Sequence, residues 1–290
     1  MIVLEGHEQA VRCVAYSPDS RRLASGSDDG TVRLWDLAAG GELTEVLEHR
    51  SGVESLTFHP DGRTLATATG DGQLTLWDAL RGSMVKAGAH HFGVRCLAFG
   101  ADGKCLITCG WNRALIWWVP ASLAGPREQA ELPAAVTALA LTSDRRLLAA
   151  GCYDGTIQLF DADRAALRSA WKGEAAVLAL AWSPDGLLLA GGNADGDVTL
   201  WDAASGKVRA VLRGHTWTVY SLAFAPDGRT LLSGSADGTV RLWDVASARE
   251  RMAFQWHTRW VTCVAFAPDG MTAAAGSEDR TVVLWDVEAD

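Results

Sequence analysis

Ten residues near the start of the chain, SDDGTVRLWD (27–36), return almost unchanged as SADGTVRLWD (235–244) and as SEDRTVVLWD (277–286). No other feature limits the possible folds as tightly. With the aromatic residue of LWD as anchor, copies fall at Trp35, Trp77, Trp201, Trp243 and Trp285, and Trp118 and Phe160 fill the two gaps. The steps are 42, 41, 42, 41, 42 and 42 residues, which makes seven copies. An aspartate stands sixteen residues before every anchor, from Asp19 to Asp269. A histidine stands twenty-eight residues before five of them, at His7, His49, His90, His215 and His257. Leu132 and Gly173 take that place in copies four and five. Self-similarity at this period marks one supersecondary unit repeated along the chain.

Each copy reads as short strands. VYSLAFA (219–225), LLSGS (231–235) and TVRLWD (239–244) are apolar runs rich in β-branched residues, separated by Pro-Asp-Gly and Asp-Gly. Those dipeptides preset the backbone angles of tight turns. A weaker fourth strand precedes each histidine position, as in KVRAVLRG (207–214). Seven four-stranded antiparallel sheets at this spacing predict a closed propeller. Gly-His at Gly6-His7 and Gly214-His215, with Trp-Asp 28 residues later, resembles the WD40 repeat over the whole chain. The resemblance implies an all-β, seven-bladed WD40 β-propeller, a single domain over residues 1–290. The last copy ends after its third strand, whereas MIVLEGH is a fourth-type strand with no sheet before it. Closure is therefore expected to pair Ile2–Leu4 with the strand at 281–285, because an open ring would leave two sheet edges unpaired.

Composition narrows the function. The 290 residues are 48% hydrophobic and 21% charged, enough apolar content for a large core. A net charge of −9 argues against nucleic acid, whose binders replace phosphate counterions with Lys and Arg. No apolar run approaches the roughly 20 residues of a membrane span, and the first residues lack the pattern of a secretory signal. Six scattered cysteines in a chain that needs no staples point to a reducing compartment, the cytoplasm. Cys13, Cys96 and Cys263 share one strand position in three copies and read as small buried packing residues. Cys105 and Cys109, on one strand, stand about 13 Å apart, too far for a disulfide.

Ser, His and Asp recur at fixed spacing and invite a hydrolase reading. Copy one has His7, Ser25, Asp29 and Trp35; copy two His49, Thr67, Asp71 and Trp77; copy six His215, Ser233, Asp237 and Trp243. A catalytic set is needed once, and a set built repeatedly is a structural device. In WD40 repeats, which these residues resemble, such sets tie tryptophan, hydroxyl, histidine and aspartate into a hydrogen-bond chain. Copy four (Leu132, Ala150, Asp154, Phe160) and copy five (Gly173, Gly191, Asp195, Trp201) depart from it. Their aspartates are expected to serve only turns, and their side of the ring to be the more mobile. Histidines spread one per blade hold no metal, and no cofactor motif is present, so neither a metal nor a cofactor is expected.

The resemblance also implies that three positions per copy reach one face of the ring. These are the residue before the Asp of the second turn and the residues three and five after the histidine position. They collect Arg12, Asp28, Glu54, Arg95, Trp111, Tyr153, Tyr220, Trp260 and Glu278. Trp, Tyr and Arg are enriched at binding hot spots. Asp28, Glu54 and Glu278 are placed to receive a Lys or Arg between aromatic walls. The plainer reading is that some of these aromatics pack sideways onto neighbouring blades. The expected function is a non-enzymatic, monomeric scaffold for a protein or peptide, binding neither nucleic acid nor membrane. The alternative is a sensory or regulatory propeller module of a larger protein with a small ligand in its central channel.

Overall fold

A computed structural model describes residues 1–90, 92–110 and 112–287. Among the described residues, twenty-eight strands form seven four-stranded antiparallel sheets. Blade 1 comprises Val11–Tyr16, Arg22–Ser27, Thr31–Asp36 and Glu42–Glu48, hydrogen-bonded in chain order. Blades 2 to 6 repeat that order, with first strands Val53–Phe58, Val94–Phe99, Val136–Leu141, Val177–Trp182 and Val219–Phe224. Blade 7 is made of Val261–Phe266, Thr272–Ser277 and Val282–Asp286, completed by Ile2–Leu4. Ile2 faces Leu284, Val3 faces Val283 and Leu4 faces Val282, so both ends of the described chain share one sheet. The first strand of each blade packs on that of the next, and the first strand of blade 7 packs on that of blade 1.

The turns follow their residues. In the Pro-Asp-Gly turns Gly62, Gly186, Gly228 and Gly270 have φ between 69° and 76°, the left-handed region glycine enters without steric cost. Ser20 and Arg145 hold the same turn position at φ 59° and 55°. The core lies between blades. Ala24, Val32 and Leu34 of blade 1 meet Val53, Leu56 and Phe58 of blade 2, with Trp77 in the same cluster. Leu4, Val11, Leu23 and Trp35 meet Cys263, Ala274 and Leu284 across the closure. Each fully buried Leu or Val contributes about 1.5–3 kcal/mol, so the blades stabilise one another.

One irregularity recurs in every blade. The pairing of first and second strands shifts by one residue between Val11 and Cys13, and identically at Val53/Ser55, Val94/Cys96, Val136/Ala138, Val177/Ala179, Val219/Ser221 and Val261/Cys263. Each shift is a β-bulge whose extra residue leaves the ladder and re-aims its side chain. The seven extra residues are Arg12, Glu54, Arg95, Thr137, Leu178, Tyr220 and Thr262.

Candidate partner-binding face

The bulges and the residues beside them line a central cavity of ≈ 720 Å³ contributed by the first strands of all seven blades. Arg12 forks onto Asp28, its Nε donating to both carboxylate oxygens at 2.9 Å and its Nη2 to Oδ2 at 2.5 Å. Its Nη1 reaches Glu278 Oε1 at 3.4 Å, across the closure of the ring. The fork on Asp28 holds the Arg12 guanidinium above its ordinary pKa, against the effect of burial. Two of the three acidic residues expected to await a partner's cation are therefore already engaged by Arg12. Glu54 is half-buried, and burial raises its pKa while Arg12 opposes the rise. Arg95 donates from Nε to the Thr137 carbonyl at 3.0 Å. Thr262 Oγ1 donates to Val11 O at 2.5 Å, so this bulge hydroxyl joins blade 7 to blade 1.

The aromatic residues divide. Tyr153 is 62% exposed and Trp260 39% exposed. Tyr220, half-buried, lies with its ring 5.9 Å from that of Trp260 at 33°. Trp111 falls outside the described residues. Two further exposed aromatics, Phe92 (56%) and Trp217 (59%), stand two residues after their histidine positions, an offset outside the three expected on the face. Ser235 Oγ donates to the Trp217 carbonyl at 3.0 Å, which fixes that loop from behind. Other tryptophans are accounted for by packing. Trp117 is buried and donates to Ala162 O at 2.8 Å, while Trp256 stacks on Phe254 with centroids 4.1 Å apart.

The polar sets show why the loops hold their shape. In blade 1, Trp35 Nε1 donates to Ser25 Oγ at 2.9 Å, Ser25 meets His7 Nε2 at 2.8 Å, and His7 Nδ1 meets Asp29 Oδ2 at 3.0 Å. Indole N–H is only a donor, so the serine oxygen must accept it. The Asp29 carboxylate only accepts, so neutral His7 carries its ring proton on Nδ1 and its Nε2 takes the serine hydrogen. Blade 6 repeats the chain through Trp243, Ser233, His215 and Asp237 at 2.8, 2.6 and 2.9 Å. Ser25 and Ser233 are fully buried between their partners. In blade 2, Trp77 donates to Thr67 at 2.9 Å and Thr67 meets His49 at 3.1 Å, but Asp71 accepts from Thr69 at 2.5 Å instead.

Blades 4 and 5 solve the same problem without the chain. Asp154 accepts from Thr156, through N at 3.0 Å and Oγ1 at 2.9 Å, with Lys172 Nζ 3.9 Å from its Oδ2, and buried Leu132 replaces the histidine. In blade 5 the Trp201 ring fills the space above Gly191, where an added Cβ would lie 2.6 Å from it.

The profile described as "WD domain, G-beta repeat" matches residues 1–36, 41–78, 83–118, 127–161, 206–244 and 249–286. The chain belongs to the WD40 family. Most of blade 5 lies in the stretch those matches skip, and the profile of the anaphase-promoting complex subunit 4 WD40 domain covers 167–218. Among similar proteins, the Notchless protein homolog of Arabidopsis thaliana is 65% identical over 34 residues, 12% of this chain and 7% of its own. Striatin-4 of Mus musculus is 62% identical over 39 residues, 13% of this chain and 5% of its own. Ribosome biogenesis protein BOP1 of Rattus norvegicus is 57% identical over 37 residues, 13% and 5% of the two chains. Each match is about one WD40 repeat long and spans less than a tenth of the relative.

Proposed function

We propose that this WD40 propeller is a non-enzymatic scaffold that holds a protein or peptide partner over the mouth of its central channel. The supporting observation is the set of seven bulges, which turn one side chain per blade out of the sheet ladder. Beside them stand exposed aromatics, Tyr153 and Trp260, that no core requires. A rigid rim built on closed sheets loses little entropy on binding. Because Asp28 and Glu278 are already joined to Arg12, the partner is read chiefly by aromatic and apolar contacts, with Glu54 as the acidic contact. Six free thiols suit a reducing compartment, and we place the protein in the cytoplasm as a monomer.

The test is capture of partners from native lysate by wild type beside Tyr153→Ala/Trp260→Ala, with matched circular dichroism and melting. A partner held by wild type and reduced tenfold or more in the variant is the expected result. Equal retention by both would move the site off this face. A second reading, a small ligand in the channel, rests on the cavity volume, which lies in the range of ligand pockets. It predicts no captured partner and a rise in melting temperature with a metabolite extract.

A further inference from the structure

In six blades the residue opposite the first-strand position just past the bulge is small: Gly26, Ala68, Gly151, Gly192, Gly234 and Gly276. In blade 3 it is Cys109, in register with Cys96. Blades 1 and 7, which also carry a first-strand cysteine, show why smallness matters. A Cβ added to Gly26 would lie 2.7 Å from Cys13 Sγ, and one added to Gly276 would lie 2.7 Å from Cys263 Sγ. The first-strand sulfur thus hangs over the Cα opposite. In blade 3 that Cα bears a Cβ and a second sulfur.

The two sulfurs also converge on successive carbonyls of the first strand of blade 4. Cys96 Sγ lies 3.6 Å from the Thr137 carbonyl oxygen and Cys109 Sγ 4.0 Å from that of Val136. Residues paired across antiparallel strands have Cα atoms about 4.5–5.5 Å apart, within the roughly 4.4–6.8 Å a disulfide spans. We propose that Cys96 and Cys109 are an oxidation site that closes to a reversible cross-strand disulfide when the protein meets a hydroperoxide.

The chemistry assigns each thiol a role. Cys96 is half-buried and lines the channel cavity, whereas Cys109 is buried behind it. A hydrogen bond from Cys109 holds the Cys96 thiol below its ordinary pKa, with help from Arg95 and against burial, and burial pushes Cys109 up. The Cys96 thiolate attacks one peroxide oxygen, the O–O bond breaks, and the departing hydroxide takes up the proton Cys96 released, forming water. Cys96 is then a sulfenic acid. Cys109 sulfur attacks the Cys96 sulfur, the S–O bond breaks, and the second hydroxide leaves with the Cys109 proton as water. Two thiols and one hydrogen peroxide give one disulfide and two waters. Cys13 and Cys263 face glycine and have no such partner in register.

The experiment treats the full chain with hydrogen peroxide, alkylates the remaining thiols in denaturant, and maps tryptic peptides without reduction. Cleavage after Arg95, Lys104 and Arg113 puts Cys96 in peptide 96–104 and Cys109 with Cys105 in peptide 105–113. The expected product is these two peptides linked through Cys109, assigned by fragmentation and lost on treatment with dithiothreitol. Cys109→Ser should instead leave a sulfenic acid at Cys96 that dimedone captures. A link through Cys105, Cys13 or Cys263 would overturn the proposal. So would full alkylation of Cys96 and Cys109 after peroxide treatment that consumes glutathione completely, or a sulfinic acid at Cys96 as the main product.

Discussion

The Ser25 hydroxyl is useful to the fold because it is occupied on both sides. It accepts from Trp35 and gives its hydrogen to His7, which leaves His7 neutral and oriented on Asp29. A buried hydroxyl arranged this way satisfies three polar groups that would each cost about 1–3 kcal/mol unpaired. Neutrality has a consequence in acid. Burial lowers the pKa of His7 and of His49, against the pull of Asp29 and Asp71. The unfolded chain therefore takes up these protons first, near pH 6.5. Their contribution to stability is complete above that pH and is lost as pH falls through the lower folded values. The melting temperature should hold between pH 8 and 7 and decline from about pH 6.5 to 5. His49→Gln should melt lower at pH 8 and show a shallower decline. An equal slope in both proteins would remove these histidines as the cause. Further loss is expected below about pH 4. There, hydrogen bonds from His215 and His257 keep Asp237 and Asp279 below the usual carboxylate range, despite burial.

Blades of one design tolerate different fillings, and a serine introduced at the same blade position is expected to have opposite effects in two of them. Blade 7 keeps His257 on Asp279 at 3.0 Å but has Ala275 where blades 1 and 6 have serine. Buried His257 Nε2 has no partner there. Ala275→Ser restores the relay and should stabilise the protein by about 1 kcal/mol, a rise of a few degrees in melting temperature. Gly191 in blade 5 occupies the matching position under the Trp201 ring. Gly191→Ser overpacks that site and should destabilise by roughly 1–3 kcal/mol. Calorimetry of the two single variants checks both signs. A gain in both, or a loss in both, would mean that the relay and the ring packing do not account for the difference between these blades.

The ring as a unit depends on three residues. Ile2–Leu4 supply the fourth strand of blade 7, and Leu4 is buried against Val11 and Leu284. Removing residues 1–5 takes away the burial of Leu4, about 1.5–3 kcal/mol, and the ladder hydrogen bonds to Val282–Leu284. It also bares a hydrophobic strand edge that pairs readily with another chain. The truncated protein should melt several degrees lower and show dimers or larger species by light scattering. An unchanged melt and a monomeric profile would refute the closure as a source of stability.

The repeat, the strands and the closure were legible because their signals are local. Pro-Asp-Gly makes its turn wherever it stands, alternation marks a strand within six residues, and the period counts the blades. The offsets after each histidine pointed to Arg12, Glu54, Arg95 and Tyr220 without showing what turns them. Nothing in residue type marks a bulge, since Arg12, Leu178, Tyr220 and Thr262 all occupy one. That depends on how two strands pair. The sequence offers Arg12 as a residue of the binding face, yet folding brings it to Asp28 and to Glu278, from the far end of the chain. Cys105 and Cys109 drew attention along one strand, whereas the register placed Cys96 opposite Cys109. Periodicity is a property of the chain, but pairing between side chains distant in sequence exists only after strands have paired within a blade and, for Arg12 and Glu278, after the ring has closed.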